Sequence, residues 1–274
     1  MDSSETSGHR SPSNIAEYFG RLAATYGDGE YYGNRRRAVL GAIAGELAEA
    51  RDVLDVGCGN GAYLAKFAAA PGNRVGGVTG ADLSIEMLLA ARRRVGVKCR
   101  LLCADVLRLP FKPASFDFIF ASHVLQFVAD VDLDAVVAGF ARCLRPGGLL
   151  VATGRRDEGF RQLLSTIAGP DRWPEYREVI FKHVPRRDAD TGPDDRYQQA
   201  FARSGLRVEE RAAPFTVGWA DIEELINVRW TPLIPEGERE PARAMLAGIA
   251  ELAKAGPSPT LTLREPLILG RRDR

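Results

Sequence analysis

Val53-Leu54-Asp55-Val56-Gly57-Cys58-Gly59-Asn60-Gly61 reads as an apolar strand that runs straight into a glycine-rich turn, which opens a helix. Val53, Leu54 and Val56 suit a strand buried in a parallel sheet, whose carboxyl end opens on a crevice. Glycines at 57, 59 and 61 allow positive φ and let backbone N–H groups approach a ligand closely. The stretch predicts an open α/β sheet with a nucleotide-like ligand at this turn.

Two ligand classes fit the glycine spacing. Gly57-x-Gly59-x-x-Ala62, with Asp82 lying 20 residues beyond Ala62, matches the dinucleotide fingerprint and its ribose-binding acid. Asp55 argues the other way, because a carboxylate beside the turn repels a docking pyrophosphate. It attracts a phosphate-free cofactor with a cationic amino-acid tail, while the glycine amides approach that cofactor's ribose and carboxylate. S-adenosylmethionine has this charge pattern.

Outward from the turn, the hydrophobic pattern alternates between strand and helix. Helices are expected from Asn14 and from about Asn34 to Ala50, and a helix follows the turn from Gly61 to about Ala70. Further strands are expected at 74–80, 97–103, 116–121 and 149–152, with a helix capped by Ser84 and another burying Leu133, Val136, Val137, Phe140 and Leu144. Arg145-Pro146-Gly147-Gly148 should terminate that second helix. Helices are expected at 194–204, 222–230 and 238–254, and strands at 206–211 and 261–269, which completes seven strands of one doubly wound, mostly parallel sheet.

The organisation that follows is a disordered tail (1–13), N-terminal helices with the cofactor-binding core (14–154), a lid or substrate-binding insertion (155–195) and the rest of the same core (196–274). The insertion is marked by a change to charged and aromatic residues, including Trp173, Tyr176, Phe181 and His183.

The chain has 274 residues, with 37 Lys+Arg against 36 Asp+Glu and a formal net charge of +1, so no global field recruits nucleic acid or a membrane surface. No apolar run approaches the ~20 residues needed to span a bilayer, and the polar start lacks the apolar stretch of a signal peptide. A soluble, cytoplasmic protein is expected. Cys58, Cys99, Cys103 and Cys143 read as reduced structural thiols, with Cys58 small enough for the turn, and no metal is implied.

Each following strand end offers a ligand contact. After the second strand, Asp82 can accept both ribose hydroxyls while Leu83 and Met87 offer apolar surface to an adenine ring. After the third, Ala104-Asp105-Val106 places a carboxylate for the adenine amino group. After the fourth, Ser122 and His123 stand close to the reacting group. Together with the first turn, Ala81-Asp82-Leu83-Ser84 followed by Met87-Leu88, Ala104-Asp105, Phe116-Asp117-Phe118-Ile119 and Leu144-Arg145-Pro146-Gly147-Gly148, the chain resembles the class I S-adenosylmethionine-dependent methyltransferases of the small-molecule "methyltransferase 11" type. The resemblance covers about residues 50–154. It implies a seven-stranded sheet with a reversed last strand, and cofactor-binding roles for Asp55, Gly57, Gly59, Asp82 and Asp105. It also likens Tyr18 and Tyr26 to N-terminal tyrosines that cover the methionine end of the cofactor. Where that family often has a His-His or Leu-His pair, Leu125-Gln126-Phe127-Val128 stands instead.

The remaining polar residues have structural readings. Asp117 should make a structural hydrogen bond, Arg35-Arg36-Arg37 and Arg92-Arg93-Arg94 read as solvated helix faces, and Trp173, Trp219 and Trp230 read as core. His123 and His183 are the candidate proton acceptors. The expected reaction is methyl transfer to an O, N or C nucleophile of a small metabolite. Three alternatives stay open: a nicotinamide-dependent oxidoreductase, an RNA methyltransferase and a catalytically silent cofactor-binding protein. The RNA reading lacks a cysteine cluster or an Asn/Asp-Pro-Pro-Tyr motif, since Ala121-Ser122-His123-Val124 occupies that place. The acceptor and the oligomeric state are not legible.

Overall fold

β1 (Val53–Val56) is buried along its whole length between β2 (Val78–Asp82) and β4 (Phe116–Ser122), and both neighbours run parallel to it. The computed structural model describes residues 12–23, 26–27, 29–70, 77–153, 165, 168–174, 195–221, 236–255 and 260–274. With β3 (Arg100–Cys103), β5 (Leu144–Thr153), β6 (Leu206–Val217) and β7 (Leu261–Arg272), the sheet has the order β3-β2-β1-β4-β5-β7-β6. β7 is antiparallel to both of its neighbours, so the last strand is reversed as expected. The seven-stranded, mostly parallel reading therefore holds.

The side-chain alternation of the strands divides the core between two faces of the sheet. Leu54, Val56, Ile119 and Leu150 point to one face, where they meet α6 (Asp130–Cys143) and the helix Arg196–Arg203. Val53, Phe118, Phe120 and Val151 point to the other, against α2 (Glu30–Ala42), α3 (Ala44–Glu49), α4 (Leu64–Phe67) and α5 (Ile85–Val95). Leu133, Val136, Val137 and Phe140 of α6 are buried as the periodicity required. Ser84 caps α5 by accepting a hydrogen bond from the Met87 N–H.

Several boundaries differ from the sequence expectation, each for a local reason. α1 (Pro12–Leu22) starts before Asn14, and the helix expected from 34 to 50 is two helices, with Ile43 at φ −121° between them. β3 begins only at Arg100, because Gly96, at φ 57°, ends α5 and leads into a short 3-10 turn, Gly96–Lys98. α6 ends at Cys143 without the Pro-Gly-Gly sequence, since Leu144 is already extended and paired with Phe116. The Pro146-Gly147-Gly148 segment lies inside β5, where a register shift between Phe116 and Phe118 absorbs it. β6 continues to Val217, well past Arg211, because β7 pairs with it throughout. As an edge strand it accommodates Pro214.

The helix expected at 222–230, Trp230, His183 and most of 155–195 lie outside the described residues. Among the described residues no helix is long and apolar enough to cross a membrane.

Candidate active site

The carboxyl ends of β1, β2, β3 and β4 converge on one pocket. At its base, Gly57 and Gly59 adopt φ of 64° and 53°, the left-handed region that favours glycine. A Cβ at Gly57 would lie 2.4 Å from a methyl of Val124, whereas one at Gly59 would meet nothing nearer than the Met87 sulfur at 3.9 Å. Gly57 is therefore required by packing as well as by φ.

Asp82, the last residue of β2, ties the turn to α5. Its Oδ2 accepts the Gly59 N–H at 2.8 Å and its Oδ1 accepts the Ser84 N–H at 2.9 Å. Burial pushes its carboxyl up and these backbone bonds pull it down, with burial the stronger influence. Further turn amides are engaged as well: the Cys58 N–H donates to Ala81 O and the Gly61 N–H to Cys58 O. A row of amides turned toward a pyrophosphate is thus not what this turn presents at Cys58, Gly59 and Gly61.

Asp55 is only 2% exposed, and its Oδ2 is buried with no hydrogen-bond partner. Burial, and then the neighbouring Asp82, hold its carboxyl well above the usual range. Both carboxylates line the pocket, together with Cys58, Leu83, Met87, Ala104, Asp105, Val106, Ser122 and His123. The buried Cys58 thiol is pushed up by burial and by both aspartates, which disfavours its thiolate. Asp105 caps the 3-10 turn Val106–Arg108 through the Leu107 N–H at 3.0 Å while it also faces the pocket.

The N-terminal helix closes the pocket differently from expectation. Tyr26 lines it, but Tyr18 does not; Phe19 does, and Tyr18 packs edge-on against that ring. One residue of helical rotation, about 100°, accounts for the exchange. Asn60 fastens this region to the turn by donating to Tyr26 O at 2.6 Å. Arg35 is a second correction: it is buried and lines the pocket with Arg36, and only Arg37 of that basic run is solvated. Burial opposes the Arg35 charge, but Glu265 and the surrounding tyrosines outweigh it and the guanidinium stays protonated. The Arg92–Arg94 run is exposed, as expected.

His123 takes a left-handed backbone conformation at φ 56° just past β4. Its N–H donates to Thr153 Oγ1 at 3.2 Å, and Ser122 Oγ lies 3.1 Å from the same oxygen. Its ring Nε2 lies 2.8 Å from Glu265 Oε1. Glu265 was not singled out from the sequence, although an acid alternating with Leu263, Leu267 and Leu269 is a visible irregularity. Among the described residues, no group of three or more His, Cys, Asp or Glu side chains is arranged to hold a metal ion.

Comparison with known proteins agrees with this geometry. Residues 53–148 match the family model of the methyltransferase domain. The biotin biosynthesis bifunctional protein BioHC of Cellvibrio japonicus is 35% identical over 68% of this chain and 34% of its own length. The malonyl-[acyl-carrier protein] O-methyltransferase of Enterobacter lignolyticus is 28% identical over 76% of this chain and 74% of its own length. The chain spans about a third to a half of the length of the first curated relatives that it matches. Among solved structures, phosphoethanolamine N-methyltransferase 2 of Haemonchus contortus, in complex with S-adenosylhomocysteine, shares the fold. It has a TM-score of 0.51 at 18% identity, over 88% of this chain and 53% of that one. The strand-end carboxylates, the glycine turn and the reversed β7 thus sit in a chain whose residues 53–148 match the family model of the methyltransferase domain.

Proposed function

We propose that the protein is an S-adenosylmethionine-dependent methyltransferase that acts on an O, N or C nucleophile of a small metabolite. The observation that carries this reading is Asp55, a buried carboxylate oxygen without a partner beside a glycine turn. An uncompensated buried anion is costly, and a cationic ligand group offsets that cost directly or through a water. A dinucleotide pyrophosphate would aggravate it, which disfavours the oxidoreductase reading.

The residues present fit the cofactor. Asp55 would face its cationic amino-acid tail, Asp82 and Asp105 would accept hydrogen bonds from ribose hydroxyls and the adenine amino group, and Leu83 and Met87 would supply apolar contact. When bound, S-adenosylmethionine supplies an electrophilic methyl group. The chain would then align the acceptor, exclude water and take up a proton, with His123 the first candidate for that last task. His183 remains the second candidate. We assign 155–195 to covering the acceptor, with Trp173 in that segment. The near-zero net charge favours a small-molecule acceptor over nucleic acid, and the free cysteines Cys58, Cys99, Cys103 and Cys143 favour a cytoplasmic setting.

The test is a thermal-shift and calorimetric comparison of S-adenosylhomocysteine with NAD and NADP. Stabilisation by S-adenosylhomocysteine alone is expected, and stabilisation by a dinucleotide alone overturns the reading. Transfer of a labelled methyl group to candidate acceptors separates an enzyme from a silent binding protein.

A further inference from the structure

β7 places Leu263, Glu265, Leu267 and Leu269 at alternate positions of one face, and all four are buried. A carboxylate at such a position is costly unless it is paired. Its charge partner lies across the sheet end: Glu265 Oε1 is 2.8 Å from His123 Nε2, a contact in which neither atom meets hydrogen-bond geometry, and the two side chains are 9% and 14% exposed. Burial pushes the Glu265 carboxyl up, but His123, Arg35 and a Thr153 hydrogen bond outweigh it and hold it below the usual range. The backbone of His123 reinforces the arrangement, since a non-glycine residue stays in the left-handed region only where its surroundings determine it.

We propose that Glu265 is a positioning residue for methyl transfer: the charge of its carboxylate, 2.8 Å from Nε2, favours the Nε2–H tautomer of His123, so that the Nδ1 lone pair receives the proton of the acceptor. The proposal rests on the methyltransferase reading and adds to it a residue from the C-terminal strand, outside residues 53–148. As the acceptor's O or N lone pair forms the bond to the methyl carbon, the electron pair of the carbon–sulfur bond stays on sulfur. The acceptor's proton passes to Nδ1, and the Glu265 carboxylate balances the imidazolium that results. Nδ1 lies 3.4 Å from Gln126 Oε1, a long contact to an amide that can turn its NH2 group toward an unprotonated nitrogen. Among the described residues, Arg35 from α2 and Tyr63 from the segment after the glycine turn face Glu265. Arg35 helps to keep Glu265 ionised.

The experiment is NMR of the full chain with 15N-labelled histidine, the three rings being assigned by substitution of His9 and His183. In the unaltered protein the deprotonated His123 ring is expected to carry its proton on Nε2. In Glu265→Gln the titration midpoint should move to lower pH by about one unit and the tautomers should mix. S-adenosylhomocysteine affinity should stay within about threefold, because Glu265 is not among the pocket-lining residues. An Nδ1–H tautomer, a ring doubly protonated up to pH 9, or an unmoved midpoint in a folded Glu265→Gln protein overturns the proposal. If that variant does not fold, the tautomer of the unaltered protein alone decides. Failure of the methyltransferase reading would appear instead as absent S-adenosylhomocysteine binding, which leaves the tautomer readable.

Discussion

The central parallel strands carry a carboxylate cluster at each end, and the two clusters are built in opposite ways. At the amino ends, Asp117 Oδ2 accepts the N–H groups of Arg51 and Asp52 at 3.1 and 2.9 Å, and Arg145 Nη1 lies 2.9 Å from both Asp52 and Asp117. Burial pushes the Asp117 carboxyl up, but these donors outweigh it and leave it below the usual range. At the carboxyl ends, Asp82 holds two backbone donors, Asp55 Oδ2 holds none, and both carboxyls are raised. A strand-end carboxylate whose oxygens are satisfied stabilises the fold. One that is buried and unsatisfied costs stability, and a ligand can offset the cost.

The comparison can be broken by substituting each end in turn. The largest effect is expected from Asp82→Ala, which removes two charge-assisted bonds that organise the glycine turn and the start of α5. Its stability should fall by about 2–4 kcal/mol in chemical denaturation, and S-adenosylhomocysteine affinity by more than about tenfold. Unchanged affinity in calorimetry would count against the whole carboxyl-end assignment. Asp55→Asn comes next: affinity should drop by about tenfold, or about 1.4 kcal/mol, while the ligand-free fold gains stability at neutral pH.

The pH dependence sharpens the contrast. With a folded-state carboxyl raised above the unfolded value of about 3.9, the stabilisation from Asp55 is fully present below that pH and is lost as pH rises through the folded value. Unfolding titrations of the ligand-free protein should therefore show Asp55→Asn gaining on the unaltered chain as pH rises. Asp117 has the opposite sign: its contribution is present above about pH 3.9 and is lost as pH falls through its lowered folded value. Asp117→Ala should lose about 1–2 kcal/mol at pH 7, with ligand affinity unchanged within about twofold. The smallest effect belongs to Arg145→Lys, under about 1 kcal/mol, because the partly exposed pair is screened by solvent. A loss of ligand affinity in either amino-end variant would erase the distinction.

Much of this is legible in the residue order. The apolar run into three glycines placed β1 and its turn, and the spacing of Asp82 and Asp105 behind later strands placed the ligand side of the sheet. Less legible were features that depend on what packs against a residue. Ala212-Ala213-Pro214 looks like the end of a strand, yet β7 pairs with it residue by residue and carries β6 on to Val217. Arg35-Arg36-Arg37 looks like a solvated helix face, yet the rotation of α2 against the sheet buries Arg35 and leaves Arg37 outside. The family resemblance points to Tyr18, and the helix phase selects its neighbour Phe19 instead.

By itself, the sequence determined the sheet, its glycine turn and the three carboxylates on the ligand side, because strand periodicity and glycine conformation are local properties that need no distant partner. Tertiary structure alone decided which polar groups meet. His123 and Glu265 are 142 residues apart, and only the antiparallel insertion of β7 between β5 and β6 brings that acid over the end of β4. Whether a carboxylate is satisfied, as Asp117 is, or left without a donor, as Asp55 Oδ2 is, depends on the donors that the folded chain brings within about 3 Å. That is a property of the packed molecule, and residue order does not carry it.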